Sequence, residues 1–248
     1  MRQIDISVIM PAYNCEKYIA RSIESVLEQK VNLELIIIND CSKDNVDSVV
    51  EKYLDDKRVK YIHNEVNLGV AKTRNKGVHL AQGKYIAFLD SDDWWSNDKL
   101  EKQLSLMEET GVVISATARE IMTAEGDSTG RIIEVPTVVD YKKLLYGNLL
   151  NCSSVMVKKD VIKKYDMRYD DAHEDYITWL SILKEYEKAL LINEPLLKYR
   201  LSEEGKSRNK IKSAKMHYMS LRYMGYGRIV SLLYFIAYGF NGFKKHFL

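Results

Sequence analysis

The 248-residue sequence has little cysteine, and its histidines are not spaced as metal ligands. Its three cysteines, Cys15, Cys41 and Cys152, contain no CxxC pair and leave one residue over in any disulfide scheme. The five histidines show none of the spacings typical of zinc sites. These shortages argue against a disulfide scaffold or a structural zinc site, and they favour a reducing compartment.

Long apolar runs and a glycine-rich turn are also missing. The segment MRQIDISVIM has too short an apolar run for a signal peptide, so we expect no export. The apolar run IVSLLYFIAYGF is shorter than the ~20 residues that a membrane-spanning helix needs. The turn after the first predicted strand, MPAYNCEKY, contains no glycine, and the sequence has no P-loop. A phosphorylated ligand would therefore need its charge neutralised in another way.

Acidic residues are absent after Glu204. The last 44 residues carry nine lysines and arginines, whereas the preceding chain has 28 basic and 35 acidic residues, a net charge of −7. Basic residues mixed with aromatic ones predict that residues 211–248 form a helical amphipathic tail on an anionic membrane surface. The alternative is a C-terminal helix that packs on the preceding domain or in a homodimer. We expect no nucleic acid partner, because no recognised binding module accompanies the charge.

The first hundred residues alternate short β-rich runs with helical patterns. The runs ISVIM, LELIII, VKYIHN and YIAFLD are separated by amphipathic segments. This order predicts an α/β fold with an open, mainly parallel sheet that is covered by helices on both faces. From Gly111 onward, the pattern predicts strands around a glycine-containing turn, a helix over VVDYKKLLYGNLL, and a second helix over HEDYITWLSILKEYEKA.

The segment YIAFLDSDDWW places Asp90, Asp92 and Asp93 directly after the fourth predicted strand. Ligands of open parallel sheets bind at the carboxyl ends of the strands, where this segment converges with PAYN and NDCS. Neighbouring like charges repel by about 1 kcal/mol in water, so we expect a cation among them. Asp90 and Asp92 can hold a divalent cation that bridges carboxylate and diphosphate. The alternative, a solvated loop that caps the next helix, explains Asp98 better than Asp90 or Asp92.

Five segments resemble, in order, the successive motifs of the family 2 glycosyltransferases of GT-A fold. They are SVIMPAYNCEKYIARSIESVLEQ, LIIINDCSKDN, NLGVAKTRNKGVHLAQGKYIAFLDSDDWW, HEDYITWL and YRLSEEGKS, and they cover roughly residues 5–207. The resemblance implies a Rossmann-like GT-A domain over 1–210, with a nucleotide-binding half (1–110) and an acceptor-binding half (111–210). It also implies transfer of a sugar, expected from a UDP-sugar, to an acceptor hydroxyl with inversion at the anomeric carbon.

The resemblance also implies roles for single residues on the donor side. Asp40 corresponds to the acid that accepts the N3–H of uracil, although Asn39 replaces the acid that precedes it in the family. Asp92 is the implied direct ligand of Mg²⁺ or Mn²⁺, and Asp90 would hold the ribose or the water shell of the metal. The other residues implied to contact the nucleotide are Pro11, Ala12, Tyr13, Glu16, Asn67, Arg74 and Ser91.

Two further motifs bear on the acceptor and the diphosphate. Glu174 and Asp175 match the E-D motif of the family, whose aspartate removes the proton of the acceptor hydroxyl. The alternative for this pair is an acidic helix N-terminus that the helix dipole stabilises. Arg200, Lys206 and Ser207 match a late motif that closes over the diphosphate, with a basic surface loop as the alternative.

These patterns predict a cytoplasmic glycosyltransferase, peripheral on the inner face of the cell membrane, that acts in bacterial surface polysaccharide synthesis on a glycan or lipid-linked acceptor. A metal-dependent phosphohydrolase is one rival, but it would carry its D-x-D motif near the first strand. A sugar nucleotidyltransferase is another, and the missing glycine-rich turn disfavours it. A non-catalytic protein that binds sugar nucleotides fits less well, because the metal-ligand and base positions are both filled.

Overall fold

The computed structural model describes residues 4–169, 171–201 and 210–247, which form one mixed sheet flanked by helices. Its strands are β1 Ile6–Ala12, β2 Leu33–Asn39, β3 Val59–His63, β4 Tyr85–Phe88, β5 Trp94–Trp95, β6 Ile114–Met122, β7 Ser128–Ile133, β8 Val138–Asp140, β9 Met156–Lys158 and β10 Lys188–Arg200. Its helices are α1 Ile19–Leu27, α2 Val46–Val50, α3 Val70–Leu80, α4 Lys99–Thr110, α5 Tyr141–Leu145, α6 Lys159–Ile162, α7 Glu174–Glu185, α8 Lys210–Tyr223 and α9 Arg228–Phe247.

The strand order is β3-β2-β1-β4-β9-β6-β10-β5, with β7 beside β6 and β8 beside β10. The first four strands of this order run parallel, which confirms the predicted α/β fold class. β9 then runs antiparallel to both β4 and β6, while β6 and β10 are parallel. The second half is mixed because short turns, such as the one between β6 and β7, permit only antiparallel pairing.

One predicted helix is shorter than the sequence pattern indicates. The segment VVDYKKLLYGNLL begins with strand β8, which pairs with β10, and only its middle forms the five-residue helix α5. Asp140 ends the strand and caps the helix, because its carboxylate accepts a hydrogen bond from the Lys143 backbone N–H at 2.7 Å. The adjacent Val138 and Val139 favour the strand, since β-branched side chains pack well on a pleated sheet.

The side chains of β1 and β2 alternate between two apolar clusters, one on each face of the sheet. The first cluster joins Ile9, Ile36 and Ile38 to Trp179 and Leu180 of α7. The second joins the intervening strand residues to the apolar stripes of α1 and α4. Each fully buried isoleucine contributes about 1.5–3 kcal/mol, so burial on both faces stabilises these two strands.

A glycine lets α3 approach the sheet closely. A Cβ at Gly77 would lie only 2.5 Å from the Cγ2 atom of Ile9, so a larger residue there would push the helix away from β1. Arg74 lies one turn before Gly77 and is 4% exposed. The close packing of α3 therefore carries the Arg74 guanidinium towards the carboxyl edge of the sheet.

The C-terminal segment forms α8 and α9 in the structure. α8 packs on α7, and its residues Met216, His217, Ser220 and Leu221 are buried. The start of the tail is therefore part of the packed protein, and the division at residue 210 stays a prediction. Within the described residues, no helix is both long and apolar enough to cross a bilayer.

Lys99, the first residue of α4, is fully buried. Its Nζ atom donates to Gln103 Oε1 at 2.7 Å and lies 4.0 Å from the centre of the Trp95 ring. Burial lowers the pKa of the Lys99 amine well below its ordinary value, because the charged form loses its hydration.

This pKa predicts a pH-dependent effect of Lys99→Met. Below the unfolded-state pKa of about 10.4, the unfolded chain binds a proton at Lys99 that the folded chain does not bind. Lys99 therefore lowers the free energy of unfolding more and more as the pH falls towards its folded-state pKa. The difference in the free energy of unfolding, Lys99→Met minus wild type, should therefore increase as the pH is lowered from 10 to 7. Urea unfolding at several pH values measures it. Lys102→Met is the matched control, because ion pairs raise the pKa of Lys102 and the trend should not appear there.

Candidate active site

The tips of β1 and β2 are hydrogen-bonded to each other at the carboxyl edge of the sheet. The Asn14 backbone N–H donates to Ser42 Oγ at 3.1 Å, and the Asn14 side-chain oxygen accepts from Lys43 N at 2.9 Å. In the same way, the Glu16 backbone N–H donates to Asp44 Oδ2 at 2.7 Å, and the Glu16 carboxylate accepts from Asn45 N at 2.8 Å. Asn14 and Cys41 have φ values of 49° and 60°, a left-handed conformation that is uncommon for such residues. The two tips therefore form one constrained rim.

The residues predicted to line the base pocket lie on this rim. Tyr13 is 46% exposed, whereas the Ala12 side chain is fully buried and its carbonyl oxygen accepts from Asp40 N–H at 2.8 Å. Pro11 is half-buried beside them. Of the four residues predicted here, Tyr13 is the one with an exposed side chain, and the nucleotide roles of Pro11, Ala12, Tyr13 and Glu16 stay predictions.

Asp40 organises the loop that leads into α3. Its Oδ1 atom accepts from Asn64 Nδ2 and Leu68 N, both at 2.8 Å, and Oδ2 accepts from Gly69 N at 2.9 Å. Asn67 Nδ2 donates to the Asp40 carbonyl oxygen at 3.1 Å. A carboxylate has about four acceptor sites, so one on Oδ2 remains for a donor such as a uracil N3–H. Uracil recognition by Asp40 remains a prediction.

Arg74 joins two acidic motifs that are far apart in the sequence. Its two terminal nitrogens donate to Asp90 Oδ1 at 2.5 Å and to Glu174 Oε1 at 2.8 Å. Burial alone would lower the pKa of the Arg74 guanidinium, but the nearby carboxylates, with Asp90 the strongest, raise it well above its ordinary value. The buried Arg74 side chain therefore holds the loop of Asp90, Ser91 and Asp92, the D-x-D loop, against the N-terminus of α7.

The three carboxylates after β4 have three different environments. Asp90 pairs with Arg74, and Asp92 is half-buried. Asp93 turns inward and is 1% exposed; its Oδ1 accepts from Arg200 N at 2.9 Å, and Oδ2 has no hydrogen-bond partner in the described part of the chain. Burial, then the charges of Asp92 and Asp90, raise the pKa of the Asp93 carboxyl well above its ordinary value. Protonation of Asp93 would reduce the repulsion between the three carboxyl groups.

The donor atoms of Asp90 and Asp92 fit a small, hard divalent cation. Carboxylate oxygens are the ligands that Mg²⁺ and Mn²⁺ prefer, and Asp92, two residues after Asp90, is only half-buried. Among the described residues, no group of three or more acidic, histidine or cysteine side chains is arranged for a metal. A cation here would therefore need ligands from a diphosphate or water as well.

Arg200 lies between two aromatic rings at the end of β10. Its guanidinium carbon is 4.7 Å from the centre of the Tyr18 ring and 4.8 Å from that of Trp94. Its Nε donates to the Asp92 carbonyl oxygen at 2.9 Å, and a terminal nitrogen donates to the Ala124 carbonyl oxygen at 2.6 Å. In this structure Arg200 thus fixes the backbone of the D-x-D loop.

The predicted diphosphate role of Arg200 is not tested by these contacts. Lys206 and Ser207, the other two residues of that late motif, lie outside the described residues. Trp94 and Trp95, which follow the D-x-D loop, are both buried, so neither presents an open face for a sugar.

Glu174 and Asp175 begin α7 and have different partners. Glu174 is buried against Arg74, whereas Asp175 is partly exposed, and its Oδ1 accepts from Tyr176 N at 2.8 Å. Burial, then the charge of Glu174, raise the pKa of the Asp175 carboxyl, while Arg74 and His173 lower it. A raised carboxyl pKa suits a general base that works near neutral pH. Asp175 is therefore the more accessible of the two carboxyl groups, and its role as the base stays a prediction.

Helix α8 holds the loop that precedes this acidic pair. Ser220 Oγ accepts from His173 N at 3.1 Å, and the His173 ring nitrogen Nε2 lies 3.2 Å from the Ser213 carbonyl oxygen. Tyr223 donates to Asp171 Oδ2 at 2.8 Å. The position of the E-D motif thus depends on the first helix of the C-terminal segment.

Residues 7–165 match the model of glycosyl transferase family 2, a stretch that includes the β-strand tips and the D-x-D loop. The chain belongs to glycosyl transferase family 2. Family membership confirms the predicted resemblance and shows that the protein is a transferase. It leaves the phosphohydrolase and nucleotidyltransferase alternatives without support.

Relatives of this glycosyltransferase match it over nearly its whole length. TuaG of Bacillus subtilis (strain 168), named for teichuronic acid biosynthesis, is 36% identical over 243 residues, which cover 97% of this chain and 96% of that protein. WfgD of Escherichia coli, named UDP-Glc:alpha-D-GlcNAc-diphosphoundecaprenol beta-1,3-glucosyltransferase, is 35% identical over 243 residues, with 97% and 94% covered.

A solved structure shows the same fold. The crystal structure of S. aureus TarS 1-349 in complex with UDP-GlcNAc matches with a TM-score of 0.76 at 19% identity, and the match covers 98% of this chain and 73% of that one. At this identity the likeness concerns the fold alone, and it confirms the predicted GT-A architecture of the glycosyltransferase.

Two positioning residues of this glycosyltransferase escape motif reasoning. Ser22 of α1 donates through Oγ to the carbonyl oxygens of Ser91 and Asp93, at 2.9 and 2.6 Å. Ser153 Oγ accepts from Asp90 N at 3.2 Å. The only local signal for Ser22 is its place inside the apolar stripe of α1, where a small polar residue needs a buried partner.

The structure predicts how Glu174→Gln changes the pH dependence of transfer. Glutamine can still accept from Arg74, but it removes the charge that helps raise the Asp175 pKa. The Asp175 pKa should therefore fall, and the acid limb of kcat/KM should move to lower pH while the alkaline limb stays in place. A pH profile of sugar transfer measures this. Near-complete loss of transfer across the whole range would instead make Glu174 the base.

Proposed function

We propose that this glycosyltransferase transfers a sugar from a UDP-sugar to a hydroxyl of a lipid-linked glycan acceptor, with inversion, in bacterial surface glycan synthesis at the cytoplasmic face of the cell membrane. The observation that carries the proposal is the Arg74 bridge, which joins the predicted donor side to the predicted base side. Relatives named for teichuronic acid synthesis and for transfer to a diphosphoundecaprenol acceptor support the substrate classes.

In the proposed reaction, a bond forms between the acceptor oxygen and the anomeric carbon, and the bond from that carbon to the β-phosphate oxygen breaks. Asp175 takes the proton of the acceptor hydroxyl, and UDP leaves with the electron pair of the broken bond. Inversion requires the acceptor to attack from the face opposite UDP, so one base on the acceptor side is sufficient.

On the donor side, Asp90 and Asp92 would hold Mg²⁺ or Mn²⁺. When bound, the cation would supply the positive charge that stabilises the leaving diphosphate. Arg200 keeps the backbone of Asp92 in place, and Arg74 keeps Asp90 oriented. The chain's own contribution is therefore to fix the carboxylates in the cleft and to place the base across from them.

A transfer assay tests the proposal. The protein is incubated with Mn²⁺, a panel of UDP-sugars and a lipid-linked GlcNAc-diphosphate acceptor, and both UDP release and product mass are measured. We expect UDP release that depends on acceptor, with a product heavier by one sugar and little release in excess chelator. Equal UDP release without acceptor would indicate a hydrolase, and pyrophosphate release would indicate a nucleotidyltransferase.

A further inference from the structure

One side of α9 presents a stripe of exposed aliphatic side chains. Ile229, Leu232, Leu233 and Ile236 are 77%, 50%, 62% and 46% exposed. Their spacing of i, i+3, i+4 and i+7 places them on one face of the helix. Single exposed apolar residues are common at protein surfaces, but a contiguous helical stripe of this kind indicates a surface that another apolar phase covers.

The opposite side of α9 packs on the protein. Ser231 on that side is fully buried. The Tyr234 ring lies 5.5 Å from those of Tyr146 and Tyr226 in edge-on contacts. These contacts fix the rotation of the helix about its axis, so the aliphatic stripe faces away from the fold.

Charge indicates what covers the stripe. Lys215 and Arg228 are exposed on the same helical hairpin, and the sequence after Glu204 contains no acidic residue. An exposed apolar stripe, in a segment that has basic but no acidic residues, suits the interface of an anionic bilayer, where acyl chains receive the aliphatic groups and phosphate groups pair with the basic ones. A second copy of this chain fits less well, because it would bring two cationic segments together.

The hairpin also connects this surface to the candidate active site. α8, which precedes α9, holds the loop of the E-D motif through Ser213, Ser220 and Tyr223. We infer that the aliphatic face of α9 docks on an anionic lipid bilayer, and that α8 thereby holds Asp175 towards an acceptor carried in that bilayer. The second part of this inference rests on the proposed function.

Cosedimentation with vesicles tests the docking. The probes are phosphatidylcholine vesicles with and without phosphatidylglycerol, and the variant is Leu232→Gln/Leu233→Gln. Wild type should bind the anionic vesicles, and it should bind them less strongly in high salt. The partition coefficient of the double variant should be lower by roughly tenfold or more, because two leucines no longer enter the bilayer. Ile132→Gln, which alters a β7 residue that is 50% exposed, is the matched control and should bind as wild type.

Three outcomes would overturn the docking: absent binding of wild type to anionic vesicles, equal binding of the double variant, or a wild-type dimer in sedimentation equilibrium that the double variant abolishes. Transfer assays separate this from the proposed function. The double variant should retain transfer to a short-chain, water-soluble acceptor analogue and lose it to a vesicle-borne acceptor. If wild type binds vesicles but transfers sugar to neither acceptor, the proposed function fails and the docking stands.

Discussion

Replacing Asp175 by asparagine is expected to reduce sugar transfer by roughly 10²-fold or more while changing the affinity for UDP far less. Asparagine has nearly the same size and can still accept the hydrogen bond from Tyr176 N, but it cannot take a proton at neutral pH. Single-turnover transfer rates and UDP titrations on the same preparation measure the two quantities separately.

Asp171→Asn is the control for this experiment. Asp171 lies in the same loop and also carries a carboxylate, which accepts from the Tyr223 hydroxyl. Asparagine at this position can still accept that hydrogen bond through Oδ1, so the replacement should leave the loop in place and transfer within a few-fold of wild type. Near wild-type transfer by Asp175→Asn would place the base elsewhere. Loss of folding by Asp175→Asn, with Asp171→Asn stable, would favour the alternative of an acidic helix terminus without a catalytic role.

Replacing Asp92 by asparagine should instead remove most of the stabilisation that UDP gives in the presence of Mn²⁺. A ligand at about 100 times its Kd stabilises a folded protein by about 2.7 kcal/mol, so wild type should show a clear rise in Tm with UDP and Mn²⁺ together. The rise should be small with UDP in excess chelator, since two carboxylates beside a diphosphate repel it.

Asp98→Asn separates a specific effect of Asp92 from a general loss of charge. Asp98 lies six residues further on and pairs with Lys102 at the surface. This variant should keep the full metal-dependent rise in Tm. UDP binding of wild type that is unchanged by chelator, or an unchanged rise in Asp92→Asn, would show that these carboxylates hold no cation.

The parallel half of the sheet and its ligand edge can be predicted from sequence because their signals are local. Buried runs such as β2 alternate with amphipathic helices, and the polar tips then converge by geometry. The segment at Val138 shows the limit of this reasoning. Its apolar spacing is compatible with a helix, and its two valines do not by themselves decide against one; pairing with β10, some fifty residues later, makes it a strand.

The fine structure of the site depends on contacts that no local pattern contains. The sequence places three acidic residues after β4 but does not show how they differ. Asp93 turns inward, where it accepts from the backbone N–H of Arg200, 107 residues away. Likewise the motif containing Arg74 predicts a nucleotide contact, whereas its link to Glu174 spans 100 residues. The packing of α8 on α7 is equally non-local, and net charge and aromatic content could not reveal it.

The Arg74 bridge has a consequence for the entropy of the reaction. Because one guanidinium pairs with both Asp90 and Glu174, the carboxylates of the proposed donor side and of the proposed base side are held together once the chain folds, before either substrate arrives. The loss of orientational freedom that a bimolecular reaction requires is then partly met by folding. Arg74→Lys would keep a positive charge but lose the planar fork that holds both carboxylates at once. Such a site would still bind its substrates, yet it would have to rebuild its preorganised geometry in every catalytic cycle.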